Sequence, residues 1–112
     1  MKLAIVGTRN PCVTYKDFCS VIEGFKKSVI VSGGAKGIDS FAKQYALERN
    51  IPYMEFPPDY AKYGRVAPLV RNQEIVDYCD KVIAFPSKES RGTYDTIKKA
   101  KARNKVLKIV EI

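Results

Sequence analysis

Along this chain, short apolar runs alternate with stretches whose apolar positions recur every three or four residues. "LAIVG" (3–7), "SVIVS" (28–32) and "KVIAF" (81–85) have the length and β-branched content of buried strands. "PYMEF" (52–56), stopped by Pro57–Pro58, is a weaker run, and "KVLKIVEI" (105–112) reads as a last strand. Between them, Tyr15, Phe18, Cys19, Ile22 and Phe25 lie on one helix face. Ile38, Phe41, Ala42, Tyr45 and Ala46 trace a second face. Leu69, Asn72, Val76 and Cys79 fit a third helix, and residues 93–104 a fourth. Thr14, with Asp17 three residues on, marks a capping-box start in which Asp replaces the usual Glu.

Alternation of β and α elements at this spacing predicts an α/β fold: a parallel sheet with helices on both faces, in three layers. With 112 residues and no low-complexity linker, residues 1–112 are expected to form one domain. No run approaches the roughly 18 apolar residues of a membrane helix, and the N-terminal run is too short for a signal peptide. The expected location is the cytoplasm, with no membrane partner.

Composition narrows the chemistry. Histidine is absent, which removes the commonest zinc ligand and the commonest base near neutral pH. Cys12, Cys19 and Cys79 lack metal-ligand spacing and read as small apolar fillers in a reducing compartment, so neither metal nor cofactor is expected. A formal charge of +8 favours an anionic partner. Several of these cations fall in "KKAKARNKVLK" (98–108), either a solvated helix face or a nucleic-acid patch.

In open α/β sheets ligands bind beyond the carboxyl ends of the strands. There this chain places Gly7, Thr8 and Arg9 after the first strand, and Ser32, Gly33, Gly34 and Gly37 after the second. Ser90, Arg91, Gly92 and Thr93 follow the strand at 81–85. The last two loops each open a helix, and helix N-termini supply unpaired N–H donors and partial positive charge for a phosphate. Neither loop matches the P-loop or the dinucleotide fingerprint. Gly33 and Gly34 read both as a tight turn and as bared backbone for a phosphate. Ser32 and Thr93 add hydroxyls, and Arg9 and Arg91 add charge-assisted bonds. Asp39, early in its helix, is placed either to hold backbone amides or to meet a ribose hydroxyl. Asp59 and Tyr60, in a loop, are placed to contact sugar or base, the alternative being an ordinary surface loop. Arg71–Asn72 opens the third helix, where a solvated helix start is the plain alternative.

"MKLAIVGTRN", "VSGGAKGIDSFAKQYA", "PPDYAKYGRVAPLVRNQEIVDYCDKVIAFP" and "SRGTYDTIKKAKA" resemble, in order and spacing, the YspA-like (cpYpsA-related) branch of the SLOG superfamily. That group is related to DNA-processing protein A and to the Lonely Guy enzymes. The resemblance implies a Rossmann-like domain that binds a nucleotide or nucleotide-derived small molecule at the three loops, as a sensor or sequestering protein. It also implies site roles for Arg71 and Asn72, and a tendency to form homo-oligomers. Tyr60 stands where many relatives carry Trp.

Two alternatives accompany this reading. One is a phosphoribohydrolase cleaving the N-glycosidic bond of nucleoside monophosphates, with Arg71 as the catalytic candidate. Lonely Guy enzymes use a Glu three residues beyond the Thr of their last loop, and here that position is Thr96. The other is a DNA-binding protein, so nucleic acid is the less favoured partner.

Overall fold

The computed structural model describes residues 1–112. Five strands, β1 (Lys2–Gly7), β2 (Val29–Ser32), β3 (Tyr53–Glu55), β4 (Lys81–Phe85) and β5 (Val106–Ile109), form one sheet in the order β3-β2-β1-β4-β5. Every neighbouring pair is parallel, and β1 and β4 at the centre run in register from Leu3↔Lys81 to Gly7↔Phe85.

Alternation along β1 sorts the core into two layers, because successive strand side chains point to opposite faces. Leu3 and Ile5 pack with Phe18 and Ile22 of α1 (Tyr15–Ile22) and with Ile38, Ala42 and Tyr45 of α2 (Ile38–Glu48). Between β3 and the next long helix, α4 (Ala67–Tyr78), the loop holds a single helical turn, α3 (Tyr60–Tyr63), and a 3-10 turn over Gly64–Val66. Ala4 and Val6 pack on the opposite face of the sheet against Ile75 and Val76 of α4 and Ile97 and Ala100 of α5 (Arg91–Ala102). The fold is the expected Rossmann-like three-layer unit. The strand order reverses between β1 and β4, which opens a crevice at their carboxyl ends.

Local chemistry sets the element ends. Asp17 N–H donates to Thr14 Oγ1 (3.1 Å) and Thr14 N–H to Asp17 Oδ2 (3.4 Å), so the capping box forms. The periodicity to Phe25 overruns α1, which stops at Ile22; Phe25 packs from the following turn instead. The third long helix starts at Ala67 rather than Leu69, with Pro68 in its first turn, where its missing N–H is not needed. α2 and α5 end alike: Asn50 (φ 54°) and Asn104 (φ 55°) take the left-handed conformation. Each reverses the chain, so that Ile51 N–H reaches Ala46 O and Lys105 N–H reaches Ala100 O (both 2.9 Å). The last strand is shorter than the run 105–112, although Val110 N–H still bonds Ala84 O and Ile112 N–H bonds Pro86 O.

Candidate functional site

A cavity of about 760 Å³ occupies the β1/β4 crevice. Of the residues singled out above, Gly7, Thr8 and Arg9 line it from β1 and Gly33 and Asp39 from the β2 side. Arg71 and Asn72 line it from α4, and Ser90, Arg91, Gly92 and Thr93 from α5. Five of the expected residues lie elsewhere. Ser32 is fully buried beneath the loop, where its Oγ meets Tyr53 Oη at 2.6 Å and accepts Gly34 N–H at 3.3 Å. Gly34 and Gly37 form the turn itself and do not face the cavity. Asp59 caps α3 by accepting Lys62 N–H (3.0 Å), and it borders a separate depression with Phe56, Pro58 and Lys62. Tyr60 is exposed on α3, in neither hollow.

The glycines are close-approach positions first. A Cβ on Gly7 would lie 2.7 Å from Ile38, the first residue of α2, so its absence lets that helix sit against the end of β1. A Cβ on Gly33 would collide with the Arg71 guanidinium, one on Gly34 with the Glu55 carboxylate, and one on Gly37 with the carbonyls of Thr8 and Arg9. Gly34 (φ 76°) and Gly37 (φ 77°) also need a backbone that L-residues rarely adopt. The bared backbone of the second loop is therefore covered by the protein's own groups. Its helix start is dressed in the same way: Ile38 N–H bonds Thr8 O at 3.1 Å and Ala35 N–H bonds Asp39 Oδ2 at 3.1 Å.

The last loop is different. Thr8 Oγ1 accepts from Ser87 Oγ (3.0 Å), Ser87 Oγ meets Ser90 Oγ (2.9 Å), and Ser87 N–H donates to Ser90 Oγ (2.9 Å). This hydroxyl chain pins the β4 loop to the end of β1 and takes Ser90 away from capping its own helix. Gly92 and Thr93 N–H, at the start of α5, consequently have no acceptor in the protein, and both residues line the cavity. Arg9, Lys88 and Arg91 stand exposed around them. A twelve-residue helix with free N–H groups and a cationic rim has the donors and the partial positive charge that suit an anion. Ser87 and Lys88 also line the cavity, and sequence reasoning misses them. Their only signal is position in a strand-end loop, not a motif match.

Arg71 and Asn72 brace the two sides. Arg71 Nη1 donates to Gly33 O (2.8 Å) and Phe56 O (3.3 Å), and its Nε donates to Asn72 Oδ1 (3.0 Å). Asn72 Nδ2 in turn donates to Gly92 O (3.2 Å) and Asp95 Oδ2 (3.1 Å). Asp95 is further held by Lys99 Nζ at 2.6 Å. Thr96, in the position of the Lonely Guy Glu, donates its hydroxyl to Gly92 O (3.2 Å). Asp39 is 6% exposed, and burial, opposed by the Ala35 N–H and by Arg71, pushes its carboxyl up to about 6. No group of three or more Cys, Asp or Glu comes together in a metal-holding arrangement.

The sequence model of the family described as "YspA, cpYpsA-related SLOG family" matches residues 14–63. Over this segment the sequence is similar to that SLOG family. The segment spans α1 to α3, including the glycine loop and Asp39. No curated protein matches the chain. Among solved structures, DNA processing protein A from Streptococcus pneumoniae superposes with a TM-score of 0.78 at 24% identity, over 96% of this chain and 49% of that one. DNA processing protein A from Helicobacter pylori, described for its single-stranded DNA binding mode, gives 0.74 at 22% identity, over 96% and 64%. The chain thus spans roughly half to two thirds of the length of these structures, and what it shares with them is the fold.

Proposed function

We propose that this protein binds a nucleotide or nucleotide-derived small molecule in the β1/β4 crevice, with the anionic group on the N-terminus of α5. The observation that carries the reading is the pair of unpartnered amides, Gly92 and Thr93, inside a cavity ringed by Arg9, Lys88 and Arg91. A volume of about 760 Å³ suits a molecule of nucleotide size rather than a bare phosphate. Leu69, Ile75 and Ile112 supply an apolar wall for a base. Arg71 acts here as a positioning residue, since its Nε and Nη1 already hold the second loop and Asn72.

Gly92→Asp tests this. A Cβ added at this position would meet no heavy atom within 4 Å, and an acidic residue in the first turn suits the helix dipole, so the fold should hold. The carboxylate would occupy the anion's place. Calorimetric titration with nucleoside mono- and diphosphates should show at least about a tenfold loss of affinity with an unchanged melting temperature. Wild-type affinity in the variant overturns the assignment.

A second reading is single-stranded nucleic acid, favoured by the +8 charge and by the binding mode described for the H. pylori protein of the same fold. It ranks lower because much of the basic run 98–108 is already engaged. Lys99 pairs with Asp95, Arg103 with Asp77, and Lys105 caps α4.

A further inference from the structure

Asp39 has one carboxylate oxygen without a partner. Oδ2 accepts the Ala35 N–H, while Oδ1 is shielded from solvent and receives no hydrogen bond, although the residue forms part of the cavity wall. The charged and titratable groups facing it are few. Arg71 approaches from α4 on the same side of Gly33, but its bonds go to Gly33 O, Phe56 O and Asn72. Glu55 and Tyr53 face it from β3, Glu55 repelling its charge, and the Gly33 and Ala35 amides of the glycine loop lie against it. An acceptor buried without a donor is a costly arrangement, and a ligand that brings the donor removes that cost.

We propose that Asp39 Oδ1 accepts a hydrogen bond from a sugar hydroxyl of the ligand, so that the site selects nucleotides with an intact ribose over deoxygenated ones. This rests on the nucleotide reading above. A cationic donor is opposed by Arg9, Lys88, Arg91 and Arg71 around the same cavity. A hydroxyl donates to Oδ1 and, with the same oxygen, accepts from Arg71 Nη2, which makes no bond within the protein. The placement also fits: Asp39 lines the cavity from the β2 side and the free α5 amides from the β4 side, with the end of β1 between them.

The test is calorimetric titration of AMP and GMP, each beside its 2′,3′-dideoxy counterpart, into wild type and Asp39→Asn at pH 8. Asn keeps an oxygen for the Ala35 N–H, and a thermal melt checks the fold. Wild type should prefer the ribonucleotide by about tenfold or more, and Asp39→Asn should shrink that preference to about twofold. Equal binding of the two forms by wild type overturns the inference while leaving the anion site standing, whether or not the variant folds. An undiminished preference in Asp39→Asn also overturns it. If no nucleotide binds, the nucleotide reading falls and this inference falls with it.

Discussion

Gly33 illustrates how a single residue's role depends on what faces it. The sequence shows a glycine at a strand-to-helix turn, which suits a ligand or a tight turn equally. The group that covers it, Arg71, lies 38 positions away, and nothing local announces the contact. Asp39 is similar: its place early in α2 is legible, whereas its unpartnered oxygen exists only once α4 and β3 close around it. That burial has a measurable consequence. Its carboxyl moves from an ordinary 3.8 to about 6, so the folded protein holds this proton more tightly than the unfolded chain does. The stabilising contribution is therefore complete below about pH 4 and is lost as pH rises through 6. Relative to wild type, Asp39→Asn should gain about 3 kcal/mol above pH 7, with the difference closing as pH falls towards 4. Urea unfolding of both proteins between pH 4 and 8 reads the difference, and a gap that does not change with pH contradicts the burial argument.

At the scale of elements, period and punctuation carry most of the information. The two-residue alternation of β1 and the three-to-four spacing of α1, α2, α4 and α5 are properties of the chain's own sequence, and each element forms where those patterns lie. The turn α3 is not legible, because four residues give no period and its helical form depends on the Asp59 cap and the neighbouring α4. The ends of α2 and α5 carry a signal that periodicity alone does not weigh, an Arg-Asn pair whose Asn takes the left-handed conformation. Lys105 reads in the sequence as part of a basic run, yet its Nζ donates to Val76 O (2.7 Å) and Cys79 O (2.8 Å) at the end of α4. Lys105→Met keeps most of the aliphatic stem and removes those bonds. It should lower stability by about 1–2 kcal/mol in chemical denaturation while leaving nucleotide affinity unchanged. No loss of stability would mean that α4 closes its C-terminus without the lysine.

For the molecule as a whole, β/α alternation dictates the layers, and the right-handed crossover rule leaves few strand orders to choose among. The location of the cavity follows from that topology. What topology does not supply is the distribution of charge, because +8 is a sum and the pairing of individual cations is a tertiary property. With Lys99, Arg103 and Lys105 engaged, Lys98, Lys101 and Lys108 remain exposed in the basic run. Three phosphate contacts on a single strand correspond to a slope of about −2 in log affinity against log salt. Fluorescence anisotropy of a labelled single-stranded oligonucleotide should give that shallow dependence, with no displacement by AMP. A much steeper slope, or displacement by AMP, would favour nucleic acid in the crevice itself.

The hydroxyl chain from Thr8 through Ser87 to Ser90 holds the mouth of α5 in its receptive form with bonds internal to the protein. Such a receptor is preorganised. The entropic penalty of ordering a loop is met during folding rather than at each encounter. On the proposed reading, selectivity resides in the shape and donors of the ligand, and recognition proceeds as docking onto a fixed cradle rather than as closure of a flexible one.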